Sequence, residues 1–351
     1  MSQLPLPPSR GSFRVSALGG GHGLSATLSA LRVIAAEHLT AIVTVADDGG
    51  SSGRIRQDMD VLPPGDLRMA LAALCDDTDW GRTWAQVMQH RFRSREGVTG
   101  SLDDHAMGNL LIVALWELIG DSVEGLRWAG TLLGARGQVL PMSRQPLTMS
   151  GLVEPPEGAP PHAPATGSPD DGPGSSSGSS GGNGERLSSQ VALAHAGSLG
   201  RLRDVQLHPR DAAACAEALT AIELSDWVVL GPGSWYTSVL PHVLLPELRD
   251  ALYETEARRC IVMNLSPHTD ETAGMSPAEH LRVLHEYAPG LRVHSIIADP
   301  TSVPDRERAE FAEAAEVLGA QVSYHDVAKA GHPETHDPLR LAIAFSEVFT
   351  D

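Results

Sequence analysis

Residues 13–54 read FRVSALGGGHGLSATLSALRVIAAEHLTAIVTVADDGGSSGR. A short β-rich run, FRVSAL (13–18), stops at GGGHG. LSATLSALRVIAAEHL (24–39) then repeats apolar residues at helical spacing, and TAIVTVA (40–46) is a nearly unbroken β-branched run. Unbroken apolar strands suit a parallel sheet covered on both faces, whereas half-exposed strands alternate. The order strand, glycine turn, helix, strand predicts an α/β fold, with a Rossmann-like, mostly parallel sheet and helices on both faces. The second half repeats it: DWVVLGPGS (226–234), RRCIVMNLS (258–266) and RVHSIIA (292–298) read as strands between helices.

In such sheets ligands sit beyond the carboxyl ends of the strands, where the glycine turns fall. Gly21-x-Gly23-x-x-Ala26 satisfies the dinucleotide fingerprint. Glycines let the backbone approach a pyrophosphate, and the helix start offers free N–H groups. Gly20, Gly21, His22, Gly23 and Leu24 are therefore candidate phosphate contacts, although His22 is as readily an exposed bystander.

Asp47 and Asp48 follow the second strand about where a nicotinamide fold places its ribose acid. That reading leaves GGSSGR unexplained. Gly49, Gly50, Ser51 and Ser52 offer donors to an anion, with Arg54 and Arg56 as charge partners. The two aspartates could instead hold a divalent cation bridging diphosphate oxygens. A polar, Asp-rich turn is the plain alternative.

In PPGDLRMALAAL (63–74), Asp66 is placed to cap the helix and Arg68 opposes its dipole, which suits a ligand contact or a surface salt bridge. Asn109, opening an apolar helix, either reads a base or sugar or serves as a cap. GPGSWYTSVLP (231–241) offers Gly231, Gly233, Ser234, Tyr236 and Thr237 as a second anion-binding turn. No lysine follows it, since the only one is Lys329, so it is not a Walker-type site.

Four helical stretches after LPPGD, reaching about Gly134, predict a helical insertion in one 1–351 domain. Residues 155–185 are rich in Pro, Gly and Ser and are expected to be a disordered insertion. Their Gly174-x-Ser176-x-Gly178 has neither the strand nor the helix of a nucleophile elbow. His332 and His336 flank Pro333 and read as a solvated tail, while His268 and Asp270 are weak candidates. No convincing Ser–His–Asp set is found.

The formal net charge of −18 disfavours nucleic acid, whose binding needs a basic face. Three scattered cysteines imply a reducing compartment. The most apolar helix, NLLIVALWELIG (109–120), is too short for a membrane span and carries Glu117, and the N-terminus lacks a signal-peptide core. A cytoplasmic protein is expected.

The segments GGGHGLSATLSALR, TAIVTVADDGGSSGRIR, LPPGDLRMALAAL, MGNLLIVAL, RGQVLPMS and GPGSWYTSVLP resemble, in the same order, the gluconeogenesis factor (YvcK-like) family, a relative of 2-phospho-L-lactate transferase (CofD). The resemblance implies a Rossmann-like cytoplasmic regulator of cell shape and wall synthesis during gluconeogenic growth. It implies a UDP-sugar such as UDP-N-acetylglucosamine, or another nucleoside diphosphate, as ligand, together with a protein partner; homo-oligomers are compatible with it. The transferase branch moves phospholactate from a nucleoside-diphosphate donor with Mg2+. There Asp47 and Asp48 would serve as metal or catalytic residues. An NAD-dependent oxidoreductase is the third reading, and NAD is not expected.

Overall fold

The computed structural model describes residues 13–35, 38–95, 100–155, 185–266 and 270–350. The opening stretch folds as β1 (Val15–Gly19), α1 (Gly21–Ile34) and β2 (Leu39–Val43). β1 is buried at every position, as the unbroken apolar run requires. Five helices then lie between two sheet strands: α2 (Gly50–Met59), α3 (Gly65–Leu74), α4 (Asp79–Gln89), α5 (Met107–Ile119) and α6 (Ser122–Leu133). The first corrects the sequence reading, because GGSSGR is the start of α2 and not a loop. Gly53 permits this: a Cβ there would lie 2.0 Å from the Asp48 carbonyl oxygen.

β3 (Gln138–Pro141) returns to the sheet beside β2. A separate antiparallel sheet follows, made of β4 (Thr148–Glu154), β5 (Glu185–Leu187) and, after α7 (Gln190–Ala194), β6 (Arg201–His208), in the order β5-β4-β6. Alternation then resumes with α8 (Ala216–Glu223), β7 (Trp227–Leu230), α9 (Pro241–Leu244), α10 (Pro246–Glu254), β8 (Arg258–Val262), α11 (Pro277–Tyr287), β9 (Ser295–Ala298), α12 (Arg308–Val317) and β10 (Gln321–Tyr324). A hairpin, β11 (Ala328–Lys329) with β12 (His332–His336), precedes the last helix, α13 (Pro338–Thr350). It corrects the solvated-tail reading: Pro333 sits on an exposed edge strand, where its missing N–H does no harm, and His336 is buried.

Seven parallel strands run in the order β10-β9-β8-β7-β1-β2-β3. The chain therefore builds outward from β1 in one direction and from β7 in the other. Between them lies the switch point that opens a crevice at the carboxyl ends of the strands. α1 packs on α3 and α13, and α13 closes the far end by stacking Phe349 on Trp227 at 4.4 Å between ring centroids. The three cysteines are buried and unpaired. No helix among the described residues is long and apolar enough to cross a membrane.

The crevice walls touch through glycine. A Cβ on Gly23, in the first turn of α1, would lie 2.1 Å from the Pro232 carbonyl oxygen and 2.8 Å from Gly233 Cα, both backbone and unable to yield. Gly23→Ala should cost about 1–3 kcal/mol by overpacking. It should lower Tm by roughly 1–4 °C, read by calorimetry; an unchanged Tm would mean the loops are not held together as described.

The central part of the predicted disordered insertion, 156–184, lies outside the described residues. Its two ends are adjacent, because Val153 on β4 pairs with Glu185 on β5. Replacing 157–183 by a short Gly/Asn turn should shift Tm by less than about 2 °C, since long loops add little closure entropy. A larger fall would show that the removed residues pack against the sheet.

Candidate functional site

A cleft of about 570 Å3 lies at the switch point. Its walls are the first glycine turn (Gly20, Gly21, His22, Gly23), Asp47, Asp66, Gln190, residues 232–234, Ser238, Asn264 and the end of β12, Glu334 to His336.

The first glycine turn lines the cleft and opens α1. An α-helix leaves its first N–H groups without intrahelical acceptors. In α1 the Gly21 N–H bonds Asp66, and those of His22 and Gly23 face no acceptor of the helix itself. Leu24 differs: its N–H bonds the Gly20 carbonyl at 3.3 Å, and its side chain is in the core. Gly20 is needed because a Cβ there would lie 2.4 Å from Asp66 Oδ2.

Asp66 is the acid that sequence reasoning undervalued. Pro64 holds the cap position of α3, and Asp66 in its first turn points at the glycine turn. Burial, reinforced by the neighbouring Asp47, pushes its carboxyl up to about 7. Asp47 is also raised, mainly by burial, although its Oδ1 accepts the Gly49 N–H at 2.9 Å. Asp48 does not join them. Its two oxygens accept the N–H groups of Gln190 and Val191, each at 3.0 Å, and so hold α7 against the cleft.

The rest of the DDGGSSGR motif turns inward. Ser51 accepts from the Asn109 side chain at 3.0 Å and from the Ala106 N–H at 3.3 Å. Ser52 accepts the Gly65 N–H at 3.0 Å, tying α2 to α3. Gly49 and Gly50 begin the helix; Gly50 has a φ of 51°. Arg54 donates to the Asp103 carbonyl at 2.9 Å, away from the cleft. Arg68 is buried and donates from Nε to Asn109 Oδ1 at 2.9 Å. Asn109 therefore neither caps α5 nor lines the cleft; it joins Arg68 to Ser51.

The second turn shapes the wall and keeps few donors. Gly231 has a φ of 74° and accepts the Thr27 hydroxyl at 2.9 Å. Gly233 exchanges two hydrogen bonds with the Asn264 side chain, at 2.8 and 2.9 Å. Tyr236 and Thr237 are buried and bond an internal carboxyl group, which burial raises to about 7: Glu271 accepts the Tyr236 N–H and the Thr237 hydroxyl, each at 3.0 Å. The carboxyl group thus takes the place the sequence suggested for phosphate, and no local signal in DETAG announces it. Ser234 and Ser238 are the hydroxyls that remain on the cleft wall.

His336 also lines the cleft, with Nε2 buried and lacking a hydrogen-bond partner among the described residues. Burial pushes its imidazole down to about 4, so it is neutral at pH 7. The described cleft lining thus carries Asp47, Asp66 and Glu334 and no arginine or lysine. Among the described residues no cluster of three or more ligating side chains forms a closed metal site. Asp47 and Asp66 still fit Mg2+, which is commonly held by one or two carboxylates, waters and a ligand's phosphates.

The sequence pattern of the family described as 2-phospho-L-lactate transferase CofD matches residues 15–336. A Mycobacterium tuberculosis relative carrying the gluconeogenesis-factor name is 46% identical over 335 residues, 95% of this chain and 90% of its own. A gluconeogenesis factor of Listeria monocytogenes is 34% identical, over 89% of this chain and 88% of its own. The crystal structure of a UPF0052-family protein from Bacillus halodurans superposes with a TM-score of 0.75 at 28% identity, covering 97% of this chain and 100% of that one. The chain belongs to the CofD family, in its gluconeogenesis-factor branch.

Proposed function

We propose that the protein binds a nucleoside-diphosphate sugar of the UDP-N-acetylglucosamine kind at the switch-point cleft, together with Mg2+. On this reading it acts as a regulator of cell morphogenesis and wall synthesis during gluconeogenic growth, signalling occupancy to a protein partner. The supporting observation is the pairing of a glycine turn that offers helix-start N–H groups with two acids facing it, Asp47 and Asp66. The N–H groups of His22 and Gly23 would hold phosphate oxygens, with the Ser234 hydroxyl beside them. Asp47 and Asp66 would repel a bare diphosphate; holding Mg2+, they would gain the countercharge that lets the phosphates approach. Glu334, Thr335 and His336 would face the sugar hydroxyls from the opposite wall.

Thermal-shift titration tests the ligand. At a hundredfold excess over Kd, UDP-N-acetylglucosamine with Mg2+ should raise Tm by roughly 3–5 °C. NAD should give less; an equal or larger rise with NAD would overturn the reading.

The acid pair also fixes a pH dependence. Asp66 is raised in the folded chain from its ordinary 3.8 to about 7, so the folded state binds its proton more tightly than the unfolded state. Its contribution is full below about pH 4 and is lost as pH rises through about 7, so the free protein loses stability over that window. Mg2+ competes with the same proton, so Mg2+-dependent stabilisation by the UDP-sugar should grow between pH 6 and pH 8. Asp66→Asn should flatten both trends in a pH series of thermal melts. If the variant kept the wild-type Mg2+ response, Asp66 would not be a cation ligand.

A second reading, transfer of a phospholactate-type group from a nucleoside-diphosphate donor, draws on the family description and on an acid poised near neutrality, suited to taking a proton from an attacking hydroxyl. It requires turnover of a nucleoside-diphosphate donor that Asp66→Asn abolishes while nucleotide affinity persists. Absence of any donor consumption by the wild type would remove it.

A further inference from the structure

The chain carries 44 acidic against 26 basic residues, yet QHRFRSR (89–95) sets three arginines and a histidine together without an acid. The segment leaves α4 extended and well supported. Phe92 N–H bonds the His105 carbonyl at 3.0 Å, Asp104 N–H bonds the Phe92 carbonyl at 2.9 Å, and Met107 N–H bonds the His90 carbonyl at 2.8 Å. Ser94 N–H bonds Asp103 Oδ1 at 2.7 Å. Gln89, His90, Arg91, Phe92 and Arg93 line a pocket of about 620 Å3 there, separate from the switch-point cleft.

Behind this pocket lies Arg68, which is 4% exposed. Its hydrogen-bond partners are two neutral amide oxygens, of Asn109 and Gln89, and no carboxylate of the described residues lies within ion-pair distance. A buried charge with only neutral partners retains much of its desolvation penalty. The guanidinium of Arg91 repels it further, and the carboxyls of Asp66 and Asp47, beyond ion-pair distance, offset the penalty only in part. Arg91 itself donates to the Asp104 carbonyl at 2.8 Å and lies 3.5 Å from the exposed Asp104 carboxylate, while Arg93 has no ion pair among the described residues. Gln89 joins the two levels: its Oε1 accepts from Arg68, which leaves its amide N–H groups as donors.

We propose that this pocket binds an oxyanion, a phosphate or carboxylate group of a small ligand, with Arg91 and Arg93 as charged contacts and Gln89 as an amide donor polarised by Arg68. Such a group would settle the repulsion between Arg68 and Arg91. It would also connect, through Asn109 and Ser51, to the start of α2 beside the switch-point cleft. The assignment does not depend on what fills that cleft.

Isothermal titration of sodium phosphate and of sodium succinate, at ionic strength fixed with chloride, tests it on the wild type and on Arg91→Ala/Arg93→Ala. Both side chains are exposed, so far-UV circular dichroism should be unchanged. At least one probe should saturate the wild type and bind the double variant ~tenfold more weakly, as expected for lost charge-assisted bonds; which probe binds identifies the oxyanion. Phosphate held instead at the glycine turn would not respond to the double variant. Equal affinity in the two proteins, or no saturable binding of either probe to the wild type, would overturn the proposal.

Discussion

The fold turns on the contact between Gly23 and the backbone of Pro232 and Gly233. Parallel strands that build outward from β1 and β7 in opposite directions leave a crevice between the turns that follow them. No side chain, not even a methyl group, fits where these turns meet. The approach sets the width of the cleft and aims the start of α1 across it. Thr27 reinforces it by donating from the next turn of α1 to the Gly231 carbonyl. Local glycine chemistry thus determines how the two halves of the sheet are joined, and the cleft is a consequence of that joint.

The protein also supplies carboxyl groups of its own to backbone and hydroxyl donors that a motif reading assigns to phosphate. Asp48 holds the start of α7, Asp66 takes the Gly21 N–H, and Glu271 takes the Tyr236 N–H and the Thr237 hydroxyl. Each binds groups that would otherwise be left without partners, and each fixes a segment that the sheet alone would not hold. The donors left for a ligand are then few and lie mainly on the first turn. A glycine-rich turn in sequence is therefore only a potential anion site, because a distant carboxylate can already occupy it.

What could be read from the sequence follows from the range of the forces involved. β1, β2, β7, β8 and β9 announce themselves because burial on both faces demands contiguous apolar residues. β6 does not, since its alternation is broken. Asp204 adopts a φ of 47° and the register shifts beside it, so the buried residues run Leu202, Val205, Leu207 instead of every second position. The helix at GGSSGR was hidden for another reason: its glycines are poor helix formers, and Gly53 is required by a packing contact that composition cannot reveal. The site divides in the same way. The first glycine turn and Asp47 were legible from local spacing, whereas Asp66, Asn264 and His336 reach the cleft only through tertiary placement.

Arg68 and Asp66 show how one short segment serves two environments. They lie two residues apart in the first turn of α3, which sends their side chains to different faces of the helix. Asp66 faces the glycine turn and is driven toward its neutral form; Arg68 faces α5 and stays charged among amides. Had the two paired, the acid would be stabilised as an anion and the arginine would have its counter-ion, with no electrostatic need left for a ligand. Their separation leaves a negative cleft on one side of α3 and a positive environment on the other. On the two proposals, α3 would be the partition between a cation site and an oxyanion site, each at a group that makes no ion pair among the described residues.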